Sequence, residues 1–441
     1  MMKKQFLFAL VLFLVCGYIS AQKEITGIVS DGSGLPLPGV SVLLKGSKVG
    51  TQTDFDGQFA INVPDDNAIL VFSYIGMKAK EVVVGKQSTL KIKIGADAVV
   101  LEEYEVEEPE KNYATVRVMF ATDRNRTGSS KPEEMFGPMR SNDVVTYGTC
   151  DVSMPRNHQR GELEKASVWN FEFYDDPEKH VLLLNVNTKS KADFFKKLRA
   201  RINNSKKKNA FIFVHGYNVS FEDAARRTAQ MSYDLGFDGV PLFYSWPSVD
   251  AAKNYKTDEG NIEWSEGFLK KFLEDFLKTS GAQNIYLIAH SMGNRGLTHA
   301  LTSIITENPD AANKIKEIIL AAPDIDAAVF KKDIAPVLVK IKKPITLYAS
   351  SNDLALQASQ LFSSYPRAGQ AGSSMVLLSG IETIDTSNVP STDLFGHSYF
   401  SGSPDVLSDI FEIIEKGERP NKRSRLRPVV KNGETSWEFL K

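Results

Sequence analysis

The chain has 441 residues, of which 42% are hydrophobic and 24% are charged. This composition is typical of a globular protein, and it excludes wholesale disorder and a multi-span membrane protein. With 53 basic and 54 acidic residues the net charge is −1, so the chain lacks the basic excess of a general nucleic-acid-binding protein. The length suggests two or three domains, and two cysteines are too few for a disulfide-stapled scaffold or a cysteine-based zinc site.

The first 21 residues have the layout of a secretory signal peptide. Lys3 and Lys4 form a basic region, an apolar run follows from Phe6 to Val15, and Ala21 ends the segment with a small residue. The apolar run is too short to cross a bilayer comfortably. We therefore predict a signal peptide at residues 1–21 and no transmembrane span. The mature protein is expected in the periplasm, at the outer membrane or outside the cell.

Residues 23–96 contain six short segments that are β-branched or that alternate apolar and polar residues, as strands do. Turn sequences separate these segments, including Asp31-Gly32-Ser33-Gly34 and Asp56-Gly57. Because helical periodicity is lacking, this pattern predicts a small all-β sandwich domain.

Part of this segment resembles the carboxypeptidase regulatory-like domain, through the run ITGIVSDGSGLPLPGVSVLLKGSKVGTQTDFDGQFAINVP. That module is common at the front of exported envelope proteins, and it carries no known catalytic residues. The resemblance therefore implies a binding or spacing role with an envelope partner. Residues 97–112 follow, with seven acids and no base between Asp97 and Glu110, and we interpret them as a solvated linker.

Strands and helices alternate through residues 113–420. Apolar β-type runs such as 210–214, 240–244 and 285–289 are separated by segments with helical spacing. Alternation of this kind predicts an α/β fold with a mostly parallel sheet and helices on both faces. Ligands of such sheets bind beyond the carboxyl ends of the strands.

A nucleophile-elbow motif, Ala289-His290-Ser291-Met292-Gly293, stands between an apolar strand and a helical segment. The sharp turn requires small flanking residues, and it exposes the Ser291 hydroxyl above the sheet. The backbone N–H of Met292 is then expected to contribute to an oxyanion hole at a helix N-terminus. A second strand ends in His215-Gly216, and the N–H of Tyr217 is the expected second oxyanion donor.

A catalytic serine needs a base, and the base needs an acid that fixes its tautomer. In this fold the chain order is Ser, acid, His, and His397 alone of the six histidines lies after the remaining strands. His397 is therefore the predicted base. Asp353 follows the strand 345–349 and is the favoured acid, whereas Asp324 follows the preceding strand and stays open as the alternative acid.

Most of the second domain resembles an uncharacterised, esterase/lipase-like α/β-hydrolase family. The resemblance rests on stretches that include MFATDRNR, FVHGYNVSFEDAARRTAQ, YLIAHSMGNRGLTHAL, LAAPDIDAAVF and FGHSYF. It implies the α/β-hydrolase fold and a serine hydrolase, supports Ser291, Asp353 and His397 in the catalytic roles, and also includes Asp324. No natural substrate is implied.

These observations favour an exported serine hydrolase that acts on small-molecule or lipid carboxylic esters through an acyl-enzyme. The alternative hypothesis is a non-catalytic cell-envelope binding protein built on a hydrolase scaffold. Sequence motifs for phosphate, dinucleotide or metal binding do not occur, so neither a cofactor nor a metal is expected. Residues 421–441 are interpreted as a basic C-terminal tail.

Overall fold

The computed structural model describes residues 23–31, 36–47, 49–54, 56–74, 79–94, 112–166, 174–249, 254–390, 397, 399–431 and 433–440. They fall into two compact units, which divide between Glu108 and Pro109. The predicted signal peptide at residues 1–21 lies outside the described residues, as does all of the predicted linker except its last residue.

The described residues of the first unit form seven strands: β1 (Lys23–Ser30), β2 (Ser41–Leu44), β3 (Gly50–Gln52), β4 (Gln58–Val63), β5 (Ile69–Ser73), β6 (Lys80–Val83) and β7 (Thr89–Lys93). They build two sheets with the orders β4-β1-β7 and β3-β2-β5-β6. Every second residue of β4 is buried, and Phe59 on this strand packs edge-on against Phe72 of β5, with ring centroids 5.3 Å apart. The alternation gives each sheet one apolar face, so the two sheets cover each other as a β-sandwich.

The second unit alternates strands and helices. Its strands are β8 (Tyr113–Thr122), β9 (Arg124–Arg126), β10 (Phe136–Arg140), β11 (Thr146–Pro155), β12 (Leu183–Lys189), β13 (Asn209–Val214), β14 (Gly239–Ser245), β15 (Asn284–His290), β16 (Ile315–Ala321), β17 (Ile345–Ala349), β18 (Glu382–Asp385), β19 (Leu426–Lys431) and β20 (Glu434–Phe439). Its α-helices are α1 (Lys191–Asn204), α2 (Phe221–Asp234), α3 (Tyr255–Thr279), α4 (Gly293–Glu307), α5 (Ala327–Val329), α6 (Ala335–Leu338), α7 (Leu354–Ser363), α8 (Tyr399–Gly402) and α9 (Pro404–Phe411).

Eleven of these strands form one sheet in the order β12-β11-β8-β14-β13-β15-β16-β17-β18-β20-β19. The strands from β8 to β20 in this order run parallel, while β11, β12 and β19 pair antiparallel at the two edges. Two apolar clusters cover the faces, one including residues of α1, α3 and α4 and the other residues of α2 and α9. This architecture confirms the predicted α/β fold and brings the carboxyl ends of the parallel strands to one edge.

The central strands and the starts of the helices follow directly from the sequence. All six residues of β13 are buried, because helices cover both faces of a parallel sheet, and the five residues 210–214 are apolar. Serine side chains cap two helices: Ser190 accepts a hydrogen bond from the Asp193 N–H at the start of α1, and Ser220 accepts one from the Asp223 N–H at the start of α2. None of the described helices is long and apolar enough to cross a membrane.

The segment that sequence analysis set apart as a basic tail, 421–441, contributes strands β19 and β20 to the main sheet. Trp437 pairs with Ile384 of β18, and Phe439 is buried in the apolar core. The basic residues of β19 face solvent: Arg427, for example, is exposed. With exposed basic residues on β19, a half-buried Trp437 and a buried Phe439 on β20, this segment forms an edge hairpin despite its basic composition.

Candidate active site

Ser291 occupies a sharp turn between β15 and α4. Its backbone φ is 51°, a left-handed conformation that residues other than glycine rarely adopt. The Ser291 N–H donates a hydrogen bond to the carbonyl oxygen of Ala321, at the end of the neighbouring strand β16, at 3.0 Å. A strained serine at the carboxyl end of a central parallel strand is the geometry of a nucleophile elbow.

Two glycines leave room for this turn. A Cβ atom at Gly293 would lie 2.3 Å from the carbonyl oxygen of His215 and 2.7 Å from that of Val214, both of which belong to backbone that cannot move aside. A Cβ atom at Gly216 would lie 2.8 Å from the Ser291 Cβ. The elbow therefore packs directly against the end of β13, and a side chain at either position would push them apart.

Asn294 clamps the backbone of the elbow. Its fully buried side-chain amide donates to the carbonyl oxygens of Ser291 and Ala321, at 2.9 and 3.0 Å. The Asp324 N–H reaches the Ser291 carbonyl oxygen from the next loop at 3.3 Å. Sequence reasoning missed Asn294, although an amide three residues after the serine, on the buried face of a helix, was an available signal.

Asp353 and His397 meet beyond the end of β17. Asp353 is fully buried, and its Oδ1 accepts a hydrogen bond from the Leu356 N–H at 2.9 Å, which caps α7. The Asp353 Oδ2 lies 2.7 Å from His397 Nδ1. Because the carboxylate accepts this hydrogen bond, Nδ1 carries the proton and Nε2 of a neutral His397 imidazole is left as a proton acceptor.

His290 links His397 to the elbow. The His290 Nε2 donates to the carbonyl oxygen of His397 at 3.1 Å, and the two rings lie 4.6 Å apart between centroids. The His290 ring also stacks on Phe400. His397 is thus held against the residue next to Ser291.

The two expected oxyanion donors follow the ends of two neighbouring strands. Met292 directly follows Ser291 at the start of α4, and Tyr217 follows the end of β13, which pairs with β15. The Tyr217 ring packs edge-on against Tyr255 at 5.4 Å. Burial and the charge of Asp258 raise the pKa of the Tyr217 phenol, so this side chain is neutral at neutral pH.

His215 directly follows β13 and is buried beneath the carboxyl ends of the parallel strands. Its Nδ1 donates to the Gly216 carbonyl oxygen at 2.9 Å, and its Nε2 accepts from the Ser245 hydroxyl at 3.1 Å. Trp246 is buried, stacks on the imidazole and donates its Nε1–H to the His215 carbonyl oxygen at 2.8 Å. Burial and the nearby charge of Arg124 hold the pKa of His215 well below its usual range. His215 therefore stays neutral and structural.

Asp324, the alternative acid, lies in a different network. Its carboxylate accepts hydrogen bonds from Tyr255 Oη and Ser359 Oγ, each at 2.6 Å. Arg295 and Arg367 approach the same carboxylate at 3.3 and 3.2 Å. This network ties α3, α4 and α7 together beneath the loop that follows β16, and none of its described contacts is with His397.

The other potential ligand groups form no metal centre in the described part of the chain, where no cluster of three His, Cys, Asp or Glu residues could hold an ion. Cys150 is a free, fully buried thiol, and burial raises its pKa well above the usual value. A neutral thiol in the core packs as an apolar side chain.

Comparison with known families identifies the family to which the second unit belongs. A family model described as an alpha/beta hydrolase of unknown function (DUF900) matches residues 190–416, about half of the chain. The chain belongs to this family. A model of the CarboxypepD_reg-like domain matches residues 25–106, so the front of this alpha/beta hydrolase carries the predicted regulatory-like module.

Curated relatives match through the N-terminal module of the hydrolase. The TonB-dependent receptor P3 of Formosa agariphila is 44% identical over 94 residues, which are 21% of this chain and 9% of the receptor. The TonB-dependent receptor SusC of Bacteroides thetaiotaomicron is 32% identical over 168 residues, or 36% of this chain and 16% of the receptor. The chain thus spans less than a fifth of the length of either receptor.

Comparison with solved structures finds a lipase and an esterase among the matches. Lipase B of Aspergillus fumigatus is 11% identical, with a TM-score of 0.31 over 49% of this chain and 54% of its own. An esterase of Pyrococcus furiosus is 16% identical, with a TM-score of 0.29 over 48% of this chain and 83% of its own.

Proposed function

We propose that the chain is a serine hydrolase of carboxylic esters, in which Ser291 is the nucleophile, His397 the general base and Asp353 the acid that orients it. The proposal is carried by one observation: the His397 Nδ1 lies 2.7 Å from Asp353 Oδ2 beside a serine with a left-handed backbone. These residues follow the Ser, acid, His order of the fold.

The proposed reaction proceeds in two halves. His397 Nε2 takes the proton of the Ser291 hydroxyl as the oxygen attacks the ester carbonyl, and the Asp353 carboxylate stabilises the imidazolium that forms. The N–H groups of Met292 and Tyr217 hold the negative charge on the carbonyl oxygen. The alcohol leaves with the proton from His397, and a water molecule then hydrolyses the acyl-enzyme by the same steps in reverse.

Asp353 is the better candidate for the acid because Asp324 already serves another purpose. The Asp324 carboxylate is shared between Arg295, Arg367, Tyr255 and Ser359, so its charge is balanced within its own network. The Asp353 carboxylate, by contrast, accepts one hydrogen bond from the Leu356 N–H at the start of α7 and one from the His397 Nδ1–H.

The test is hydrolysis of short p-nitrophenyl esters by the purified chain and by single variants. Ser291→Ala is expected to lower kcat by roughly 10³-fold or more, and Asp353→Asn by roughly 10²–10⁴-fold. Asp324→Asn is expected to keep kcat within about tenfold while costing about 3 kcal/mol of unfolding free energy, because it removes the carboxylate that pairs with buried Arg367, whereas Arg295 keeps its ion pair with Glu259.

Turnover that survives Ser291→Ala unchanged would remove this proposal. Absence of turnover of any ester by the folded wild type would instead favour the alternative, a non-catalytic binding protein. A larger loss of kcat in Asp324→Asn than in Asp353→Asn would assign the role of the catalytic acid to Asp324 instead of Asp353.

We further propose that the protein is exported, with the first unit contacting an envelope partner. The layout of residues 1–21 supports export, and the relatives that match the N-terminal module are named as TonB-dependent receptors. N-terminal sequencing of protein from fractionated cells is expected to find a chain that lacks about 21 residues. Uncleaved protein confined to the cytoplasm would contradict export.

A further inference from the structure

A cavity of about 300 Å³ lies against the elbow, on the side of the sheet that carries α2. Gly216 and His290 line one part of it, and Lys165, Asp223 and Arg227 line another. Its volume is at the low end of the range for small-molecule sites, about 300–1,000 Å³. The cavity therefore fits a small group rather than a long acyl chain.

The Gly216 part of the cavity borders the proposed nucleophile. A Cβ atom placed on Gly216 would lie 2.8 Å from the Ser291 Cβ and 3.1 Å from His290 Nδ1. Ser291 itself does not line the cavity, but its chain neighbour His290 and its packing partner Gly216 do, so the cavity lies next to the proposed nucleophile. Leu163, Phe213 and Val219 supply apolar wall, which suits a short hydrocarbon spacer.

Cations outnumber carboxylates among the residues that line the charged part of the cavity. The Asp223 carboxylate is engaged by Lys165 Nζ at 3.1 Å and by Arg226 Nη1 at 3.4 Å. Arg227 contributes a second lining cation, whose Nη1 donates to the Gly161 carbonyl oxygen at 3.3 Å and to Gln230 at 3.0 Å. Two cations and one carboxylate therefore line this part.

The guanidinium of Arg227 would gain from an anionic neighbour. Burial is the main cause that lowers its pKa, to about 10, and the charge of Arg226 lowers it further, although Asp223, Glu162 and Asp234 act in the opposite direction. At neutral pH the group is still charged, and an anion in the cavity would replace part of the solvation that burial removes.

We propose that this cavity is a subsite for an anionic group, a carboxylate or a phosphate, carried by the ester substrate. Arg227 binds the anion inside the cavity, and Lys165, whose side chain is 56% exposed, attracts it at the mouth. The inference rests on the proposed function, because it names the substrate class of the same site: small esters with a negative charge a few bonds from the scissile carbonyl.

Matched pairs of esters test this subsite by kinetics. One pair is p-nitrophenyl valerate and mono-p-nitrophenyl glutarate, which differ by a carboxylate on the acyl side; the other is 4-methylphenyl acetate and 4-acetoxybenzoate, which differ on the alcohol side. The charged member of one pair is expected to have a kcat/KM about tenfold or more above its neutral partner, and Arg227→Gln is expected to remove that preference. Arg199→Gln, which removes an exposed charge on α1, is the matched control and should preserve it.

No preference in either pair, or a preference that survives Arg227→Gln, would overturn the subsite while leaving ester hydrolysis intact. If Arg227→Gln does not fold, Lys165→Met is the second variant. Because it removes the positive charge at the mouth of the cavity, it is expected to weaken the preference for the charged ester. An unchanged preference in Lys165→Met would count against the proposal.

Binding to the Ser291→Ala protein separates the subsite from catalysis. Isothermal titration calorimetry with glutarate and with inorganic phosphate needs no turnover, and the two probes distinguish a carboxylate from a phosphate site. At least one is expected to bind, with about tenfold weaker affinity when Arg227→Gln is added. Absence of binding by both probes, or equal binding with and without Arg227, would overturn the subsite even if no ester is hydrolysed.

Discussion

The turn that carries Ser291 depends on the missing side chains at Gly216 and Gly293. Ala289, which replaces the first glycine of the common motif, is buried in β15 without difficulty because it continues the strand. At Gly293 the nearest atoms are the carbonyl oxygens of His215 and Val214. The elbow therefore tolerates a methyl group before the serine but not after it.

Gly293→Ala is accordingly expected to lower the unfolding free energy of the second unit by roughly 3 kcal/mol and to reduce ester turnover, because the elbow must shift away from β13. Urea unfolding and p-nitrophenyl ester hydrolysis measure the two effects. Gly267→Ala is the control: Gly267 is exposed on α3, nothing lies within 4 Å of its added Cβ, and alanine there should stabilise the helix by up to about 1 kcal/mol. Equal stability changes in the two variants would contradict this description of the elbow.

The choice between Asp353 and Asp324 shows what the sequence could not decide. Ser291 and Met292 were predicted from a local motif, and His397 was predicted from the order of residues along the chain. Each aspartate follows a buried strand, so the pattern fits both equally. Only the folded arrangement separates them, because the contacts of Asp324 come from α3, α4 and α7, whereas Asp353 faces His397.

The segment that follows β11 is fastened to α2 by a histidine between two carboxylates. His158 Nδ1 lies 2.9 Å from Glu164 Oε2, and its Nε2 lies 3.0 Å from Asp234 Oδ1. Burial lowers the pKa of His158, but the hydrogen bonds and charges of Asp234 and Glu164 outweigh it and raise the pKa to about 9. The protonated imidazole therefore holds together the loop that supplies Leu163 and Lys165 to the cavity.

The raised pKa of His158 determines the direction in which the unfolding free energy changes with pH. Because the folded-state value lies above the ordinary 6.5, the stabilisation is fully present below about pH 6.5 and is lost as the pH rises through about 9. Unfolding free energies of the wild type and of His158→Gln should differ by up to roughly 3 kcal/mol at about pH 6 and by much less at about pH 10. A difference that is constant across this range, or that grows at high pH, would contradict a charged His158.

Arg423 ties the carboxyl-terminal hairpin to the body of the second unit. Its Nη1 lies 2.7 Å from Asp409 Oδ2 of α9, and both side chains are buried. The basic composition of this segment suggested a tail, because a count of charges does not reveal which of them point inward. Strands β11 and β12, where glycine, cysteine and polar residues interrupt the apolar pattern, were missed for a related reason: their position is set by pairing with β8 rather than by local periodicity.

Two arginines of this region provide a matched pair of variants. Arg423→Gln leaves the buried Asp409 carboxylate without its cationic partner and is expected to cost about 3–5 kcal/mol of unfolding free energy. Arg427 pairs with Glu438 at 2.7 Å on the exposed side of β19, so Arg427→Gln should cost about 1 kcal/mol or less. Thermal and urea unfolding of both variants measure the contrast, and similar small effects would show that the hairpin is dispensable for the second unit.

Covalent labelling of the folded chain by a fluorophosphonate tests the central claim most directly, because the reagent reacts with a serine only where a base and an oxyanion hole activate it. Intact-mass analysis is expected to show one adduct on the wild type, mapped to the peptide that contains Ser291, and none on Ser291→Ala with an unchanged circular dichroism spectrum. A folded wild type that takes up no label, or an equal adduct on Ser291→Ala, would contradict the assignment of Ser291 as the nucleophile.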